Sequence, residues 1–359
     1  MKNSFRVAGA IVGTIIGAGY ASGQEVLQFF SSSGWLGTVG AIITIGLYPL
    51  ICYYVVLLGQ KNRSYSHKNV IYQICGKYLG FVVDILLAFF YFGLGVTMVA
   101  GSGALFAQQF EINPVIGYMI LTTFVILTLI LNIRTIVTVL SWITPYAFVL
   151  FVILAIYSIS ISSLETSELD SIAMNQLSAS PNWLLSAILH VSFNIAVGFA
   201  MMVVIGGTEK DKKATRRGAI IGGIILGLIA LIVHLAVYLN IDMLQDAEMP
   251  MLILATDISP IVGLLMAIAL LGMIFSSTVP YLYTFTARFF QADTRRFNIA
   301  AIFVGITAFS LGFVGFSDLV NTVYPLMGYL GFVLIGALIV QLFRSRRQKI
   351  NTAGSKEEV

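Results

Sequence analysis

"GTIIGAGYASGQE", residues 13–25, lies inside the first long apolar run of the chain. Residues 5–31 are apolar enough for a membrane-spanning helix, yet the stretch carries Gly17, Gly19 and Gly23, then Ser22 and Glu25. A lipid interior has no water for unpaired backbone and makes an ionisable side chain costly, so irregular or polar sequence at that depth needs a cause. Gly13 and Gly17 form a GxxxG pair, which by itself reads as close helix packing. Ser22 and Glu25 point further. Ser-x-x-Glu is the pattern of a capping box, in which the serine accepts from the third helical N–H and the glutamate reaches back to the cap. A capping box at midspan predicts that a helix begins there, that the preceding helix has ended, and that "GAGYA" (17–21) is an unwound connector.

The rest of the chain has the composition of a polytopic membrane protein. Of 359 residues, 58% are hydrophobic and 10% charged, against roughly 25% charged in a soluble domain; the mean hydropathy is +0.94. Cys52 and Cys75 give neither a disulfide framework nor metal-ligand spacing. No small-residue cleavage site follows the basic N-terminal start, so the first apolar run reads as a retained span rather than a signal peptide. With about 20 apolar residues per crossing, ten spans are expected: 5–31, 35–59, 79–108, 114–132, 134–163, 182–206, 218–241, 259–289, 298–315 and 319–343. All 20 Lys and Arg fall in or beside segments that lie on one side of such a bundle, while Glu111, Glu165, Glu168, Asp170, Asp242, Asp246 and Glu248 fall on the other. The positive-inside rule then places both termini in the cytoplasm of a cell with a bacterial-type plasma membrane. "KDKKATRR" (210–217) and "RSRRQK" (344–349) are orientation signals with anionic-lipid contact, not a nucleic-acid surface.

Ten spans divide as five plus five about the acidic, Ser-rich loop 164–181, giving repeats 1–163 and 182–345 and a cytoplasmic tail 346–359. Five is odd, so two halves of one fold would be inverted copies, a common transporter architecture. The expected fold is therefore all-α, with ten transmembrane helices in two inverted five-helix repeats. The first helix of the second half offers a counterpart to the opening stretch in "HVSFNIAVGFA" (190–200), where Asn194 and Gly198 relax the backbone. Helices 1 and 6 are thus expected to be broken at midspan. Broken helices in matching repeat positions expose N–H groups to anions and carbonyls to cations, an arrangement suited to a zwitterion and a sodium ion. The expected substrate-binding residues are Gly17, Ala18, Gly19, Ser22, Glu25, Phe193, Asn194 and Gly198.

"GTIIGAGYASG" (13–23) resembles the Gly-rich first helix of the amino acid–polyamine–organocation (APC) superfamily, the LeuT-type transporters. In length and span number the chain is most similar to the YkvI-like bacterial membrane proteins within it. The resemblance covers nearly the whole chain as topology and rests at motif level on helices 1 and 8. Helix 8 carries "GMIFSSTVPY" (272–281). In sodium-coupled members, two adjacent hydroxyl residues of this helix join helix-1 carbonyls around a sodium ion. The resemblance assigns those hydroxyls to Ser276 and Ser277, with Thr278 one residue away, and the carbonyls to Gly13, Ile16 and Met273. Oxygen ligands suit a hard cation. Tyr20 stands where some members use asparagine for a second sodium, so at most one is expected. The Asp-Pro-Gly-Asn connector of metal-ion relatives is absent, which argues against divalent-metal transport.

Glu25 is open to two readings, a cap or a cavity carboxylate; in the second it and Asp84 are candidate proton carriers. Asp84 has the equal alternative of pairing with Lys77 or a cytoplasmic arginine. His190 and His234 lack metal-ligand spacing and read as satisfied bundle residues, and Trp35, Trp142 and Trp183 as helix-end anchors. No nucleophile–base pattern, phosphate loop or HExxH motif occurs, so no enzymatic activity and no cofactor beyond a coupling sodium are expected. The leading reading is a sodium-coupled symporter of a small amino acid or related amine, working by alternating access. A proton-coupled transporter of the same fold and a non-transporting ligand sensor of the germinant-receptor type are the alternatives. The partners are a small-molecule substrate and the lipid bilayer, with homo-oligomerisation left open.

Overall fold

The computed structural model describes residues 2–62, 67–131, 143–161, 166–245, 247–292 and 294–357, and every regular element among them is helical. The first span is in three pieces: α1 (Lys2–Ile15), α2 (Ala18–Ser22) and α3 (Gln24–Phe29). Then come α4 (Trp35–Asn62), α5 (His67–Phe110), α6 (Pro114–Leu131), α7 (Ile143–Ile161) and the short α8 (Thr166–Ala173). Gly76, at a φ of 76°, kinks α5 just before its long apolar part. The second half holds α9 (Trp183–Thr208), α10 (Lys212–Tyr238), α11 (Pro250–Ile258), α12 (Pro260–Phe289), α13 (Arg295–Gly312) and α14 (Phe316–Glu357). Helix α14 runs on past the boundary expected at 345.

Seven of these helices are long and apolar enough to cross a membrane: α4, α5, α6, α9, α10, α12 and α14. The other three expected spans correspond to the divided first helix, to α7 and to α13. Residues 132–142, with Arg134 and Trp142, and Glu165 and Asp246 lie outside the described residues.

Helix 6 departs from expectation. It is continuous as α9 from Trp183 to Thr208, with Asn182 capping it through side-chain bonds to the Leu184 and Leu185 N–H groups. Asn194 does not break it, because its amide is satisfied without backbone rearrangement: Nδ2 donates to the His190 carbonyl one turn back at 3.0 Å and to Glu25 Oε1 at 2.9 Å. Gly198 is a contact residue, since a methyl group there would lie 2.7 Å from Ile15 Cγ1.

Small residues set the helix spacing, as expected where packing rather than water exclusion drives association. Helix α4 packs on α9 and α10, α1 on α10, α5 on α12 and α14, and α9 on α14. At the α4–α9 crossing, a methyl on Gly206 would overlap the Val56 carbonyl and one on Gly59 the Val203 carbonyl. Gly223 and Gly227 of α10 similarly meet the backbone of Pro49 and Ile45. By contrast, a methyl on the exposed Gly46 meets nothing within 4 Å. Gly206→Ala should therefore lower stability by about 1–3 kcal/mol through overpacking, whereas Gly46→Ala should be neutral or stabilising by up to about 1 kcal/mol through helix propensity. Thermal unfolding of the two variants in detergent checks the opposite signs.

Candidate functional site

The break in the first span lies at Ile16–Gly17. The Ile16 N–H still donates to the Val12 carbonyl at 2.8 Å, but Gly17 is extended (φ −108°, ψ −171°), and helical bonding resumes with Ala21 N–H to the Gly17 carbonyl at 3.1 Å. The carbonyls of Gly13 to Ile16 consequently receive no N–H from the four residues that would follow in a continuous helix. The connector is shorter than expected, because Ala18–Ser22 forms a helical turn. A second interruption falls at Gly23, whose φ of 83° favours glycine.

A helix does start after Gly23, at Gln24, but the capping box does not form. Ser22 Oγ donates back to the Gly19 carbonyl at 2.9 Å and accepts from Gln24 N–H at 3.3 Å. Glu25 turns away from the cap toward α9. A buried carboxylate gains more from charged or amide donors than from one backbone N–H, and α9 supplies them. Glu25 Oε1 accepts from Asn194 Nδ2 and lies 2.9 Å from His190 Nε2.

Helix α12 crosses beside the break. A methyl on Gly17 would sit 3.3 Å from Ser277 Oγ and 3.9 Å from the Tyr281 hydroxyl. Ser276 Oγ donates to the Met273 carbonyl at 3.1 Å and Thr278 Oγ1 to the Ile274 carbonyl at 2.6 Å, so each hydroxyl keeps lone pairs to offer. Pro280, inside α12, has no N–H for the Ser276 carbonyl one turn before it. Five of the six residues expected to hold sodium thus border one region. Gly13, Ile16, Met273, Ser276 and Ser277 line its cavity, while Thr278 is buried behind them. This cavity, about 630 Å³, is completed by Ala10 and Thr14 of α1, Tyr91 of α5, Val197 and Met201 of α9, and Tyr281 and Thr284 of α12. It runs from the break toward the end of the bundle that carries Arg6, Glu209 and Arg288, and Gly9, Gly13 and Met201 are exposed along it.

The opposite end is closed. Residues 18–32 are buried throughout. Gln24 Nε2 donates to Ser317 Oγ at 3.0 Å and Gln28 Nε2 to the Ser317 carbonyl at 2.9 Å. Ser186 Oγ donates to the Phe29 carbonyl at 2.7 Å, and Met251 packs on Gly23. Over this seal, the Glu248 carboxyl accepts from the N–H groups of Phe316 and Ser317 at the start of α14, the place where a helix favours an anion. Burial raises its pKa, the two N–H groups lower it, and Asp318 adds to the rise.

The other expected substrate residues divide between these regions. Gly17 lies beside Ser277 and Tyr281, which line the cavity, and Ala18, Gly19, Ser22 and Glu25 lie in the sealed part above it. Phe193 stacks on Tyr324 with ring centroids 4.5 Å apart, and the Tyr324 hydroxyl fills the space over Gly19. Asp84 takes the arginine partner: Arg288 Nη2 lies 2.7 Å from its Oδ2. His234 is satisfied by Ser31 Oγ at 3.0 Å and Thr38 Oγ1 at 2.9 Å. Tyr48, Tyr281 and Tyr324 are not singled out by the sequence, because their partners are remote in it; the i, i+4 spacing of His190 and Asn194 is the one local signal for the Glu25 contact.

No protein-family model matches the chain. It is 27% identical to the uncharacterised membrane protein YkvI of Bacillus subtilis (strain 168) over 349 residues, covering 95% of this chain and 97% of that one. It is 26% identical to the uncharacterised protein YyaD of the same organism, covering 92% and 94%. Among solved structures, inward-facing Mhp1 superimposes with a TM-score of 0.63 at 14% identity over 96% of this chain and 77% of that one. MhsT in complex with L-phenylalanine gives 0.57 at 17%, covering 92% and 88%. A manganese transporter of Eremococcus coleocola gives 0.57 at 18%, covering 94% and 77%. The fold and these matches define a helical membrane protein that shares the LeuT-type fold of these structures. Over nearly its whole length it is similar to YkvI.

The Glu248 seal carries its own pH signature. The folded chain holds a proton on Glu248 above the pH at which an unfolded glutamate loses it, so stability should fall as pH rises from the ordinary glutamate range through the raised folded value. Glu248→Gln should flatten that slope, as followed by the thermal unfolding midpoint at successive pH values.

Proposed function

We propose that this chain is a secondary active transporter, a sodium-coupled symporter of a small amino acid or related amine. The observation that carries the reading is one-sided access. A midspan break at Gly17 opens into a cavity at one end of the bundle, while the other end is closed over the same break. A carrier working by alternating access has this asymmetry in each of its end states. The similarity to transporters such as Mhp1 and MhsT supports it.

The cavity end carries Arg6, Arg288 and the Lys/Arg clusters, so it is the cytoplasmic face under the positive-inside rule. On this reading the chain crosses the plasma membrane ten times as inverted repeats 1–163 and 182–345, with both termini cytoplasmic and the form described here open inward. The continuous α9 means that helix 1 alone supplies broken-helix chemistry. Sodium would sit among the Gly13 and Ile16 carbonyls, the Met273 carbonyl and the Ser276, Ser277 and Thr278 hydroxyls. The substrate would lie above it, against Gly17, Ala18, Gly19, Ser22, Phe193 and Asn194. Cavity residues named here carry no charge, which favours a neutral or zwitterionic cargo.

Two measurements test this. An impermeant thiol reagent on intact cells should modify Glu168→Cys, and should modify Lys212→Cys only after permeabilisation; the reverse pattern overturns the orientation. Uptake of radiolabelled L-amino acids into proteoliposomes should rise at least about tenfold with an inward sodium gradient and fall to background in Ser276→Ala/Ser277→Ala, as loss of two cation ligands implies. Sodium-stimulated uptake unchanged in that variant would sink the assignment of the hydroxyls.

A further inference from the structure

Glu25 and His190 are 3% and 0% exposed, yet they are the one ion pair of this depth among the described residues. Oε1 and Nε2 lie 2.9 Å apart, but the ring does not aim Nε2–H along that line, so the contact is one of charge rather than an aligned hydrogen bond. Asn194 Nδ2 donates to the same carboxylate oxygen. Across the ring, Nδ1 is 3.0 Å from the Tyr48 hydroxyl. The groups that face the pair are Tyr20 of α2, Phe29 of α3, Phe30 just after it, Tyr48 and Cys52 of α4, Tyr281 of α12 and Tyr324 of α14. None is a lysine, arginine, aspartate or second glutamate.

The charge balance therefore depends on one proton. With it, the pair is neutral overall, as imidazolium and carboxylate or as imidazole and carboxylic acid. Without it, an unpaired carboxylate remains in the bundle interior, at a cost of several kcal/mol. The pair also straddles a joint between two segments. Glu25 rides on α3, a short segment set off from α1 by the extended Gly17 and the left-handed Gly23, whereas His190 belongs to the continuous α9. Displacing α3 from α9 separates the two groups and removes the stabilisation that holds the proton. His190, Asn194, Val197 and Met201 follow one face of α9, and the last two line the cavity. About two helical turns, roughly 10 Å, separate the ring from the cavity wall.

We infer that Glu25 and His190 form a proton-exchange site linked to the transport cycle. The pair takes one proton from water while α3 stands away from α9, holds it when the two helices close, and returns it to water on one side or the other as they part. This inference rests on the transporter reading, but it uses none of the residues assigned to sodium. It makes the proton a second ion of the cycle.

The test reads conformation against pH and needs no identified substrate. A single reporter, Ala10→Cys in a Cys52→Ala/Cys75→Ala background, is labelled with a maleimide in full-length protein in proteoliposomes, each rate being divided by that of the denatured protein at the same pH. Across about pH 5 to 8.5, the range of histidine titration, the normalised rate should change at least about threefold with the steepness of a single proton. Glu25→Gln and His190→Gln should each flatten the profile, and Gly46→Ala, at an exposed position outside both sites, should keep it. If either substitution yields unfolded protein, Tyr48→Phe replaces it; loss of the Nδ1 partner should then move the midpoint. An unchanged profile in His190→Gln, or an unmoved midpoint in Tyr48→Phe, overturns the inference. A reporter that responds to added sodium but not to pH overturns it while leaving the transporter reading standing; one that responds to neither sinks both.

Discussion

A membrane-spanning helix can stop at midspan only if something other than lipid receives its unpaired backbone, and most of this structure follows from that constraint. At Ile16–Gly17 the carbonyls of four residues lose their helical partners. Lipid cannot satisfy them. Gly13, Thr14 and Ile16 instead line a cavity of about 630 Å³ together with Ser276 and Ser277 of α12, where Pro280 leaves a further carbonyl without its helical N–H. The close approach at that point depends on Gly17, whose absent side chain lets Ser277 come near.

A divided helix needs rigid neighbours. Helix α9 provides one: it is continuous, and it meets α4 and α14 through glycines that allow backbone-to-backbone contact, at Gly59, Gly206, Gly328 and Gly331. Against this neighbour, the α2–α3 segment is held by burial of Tyr20, Val26, Leu27 and Phe29 in the core, and by long-range polar contacts, rather than by its own helical continuity. Glu25 to α9, Gln24 and Gln28 to Ser317, and the Phe29 carbonyl to Ser186 fix its position.

Charge is distributed to match. Arg288 pairs with Asp84 and Arg6 with Glu209 near the basic end, whereas Glu248 closes the acidic end by accepting from the start of α14. Among the ion pairs of the described residues, that of Glu25 lies between, and its partner is a histidine rather than an arginine. An arginine stays charged throughout any physiological cycle, whereas an imidazole can give up its proton. The identity of that one partner sets this pair apart from the two arginine pairs.

Local features were legible in the sequence. Composition marked the chain as one for a membrane, and the glycine-rich stretch 13–25 marked the region in which the first span is interrupted, while the second interruption at Gly23 was not singled out. The hydroxyl run and Pro280 were likewise readable in place. The expected break in helix 6 failed because Asn194 was read as a backbone residue, when its amide is committed to His190 and Glu25. The capping box failed for the complementary reason: Ser-x-x-Glu is a local pattern, and a buried carboxylate follows the strongest donors within reach, wherever they lie in the chain. Sequence thus determined where the backbone of the first helix gives way, since that depends on residues adjacent in the chain. Only the tertiary structure decided which side chains meet there, because Glu25 and His190 are 165 positions apart and are brought together by the packing of α3 against α9.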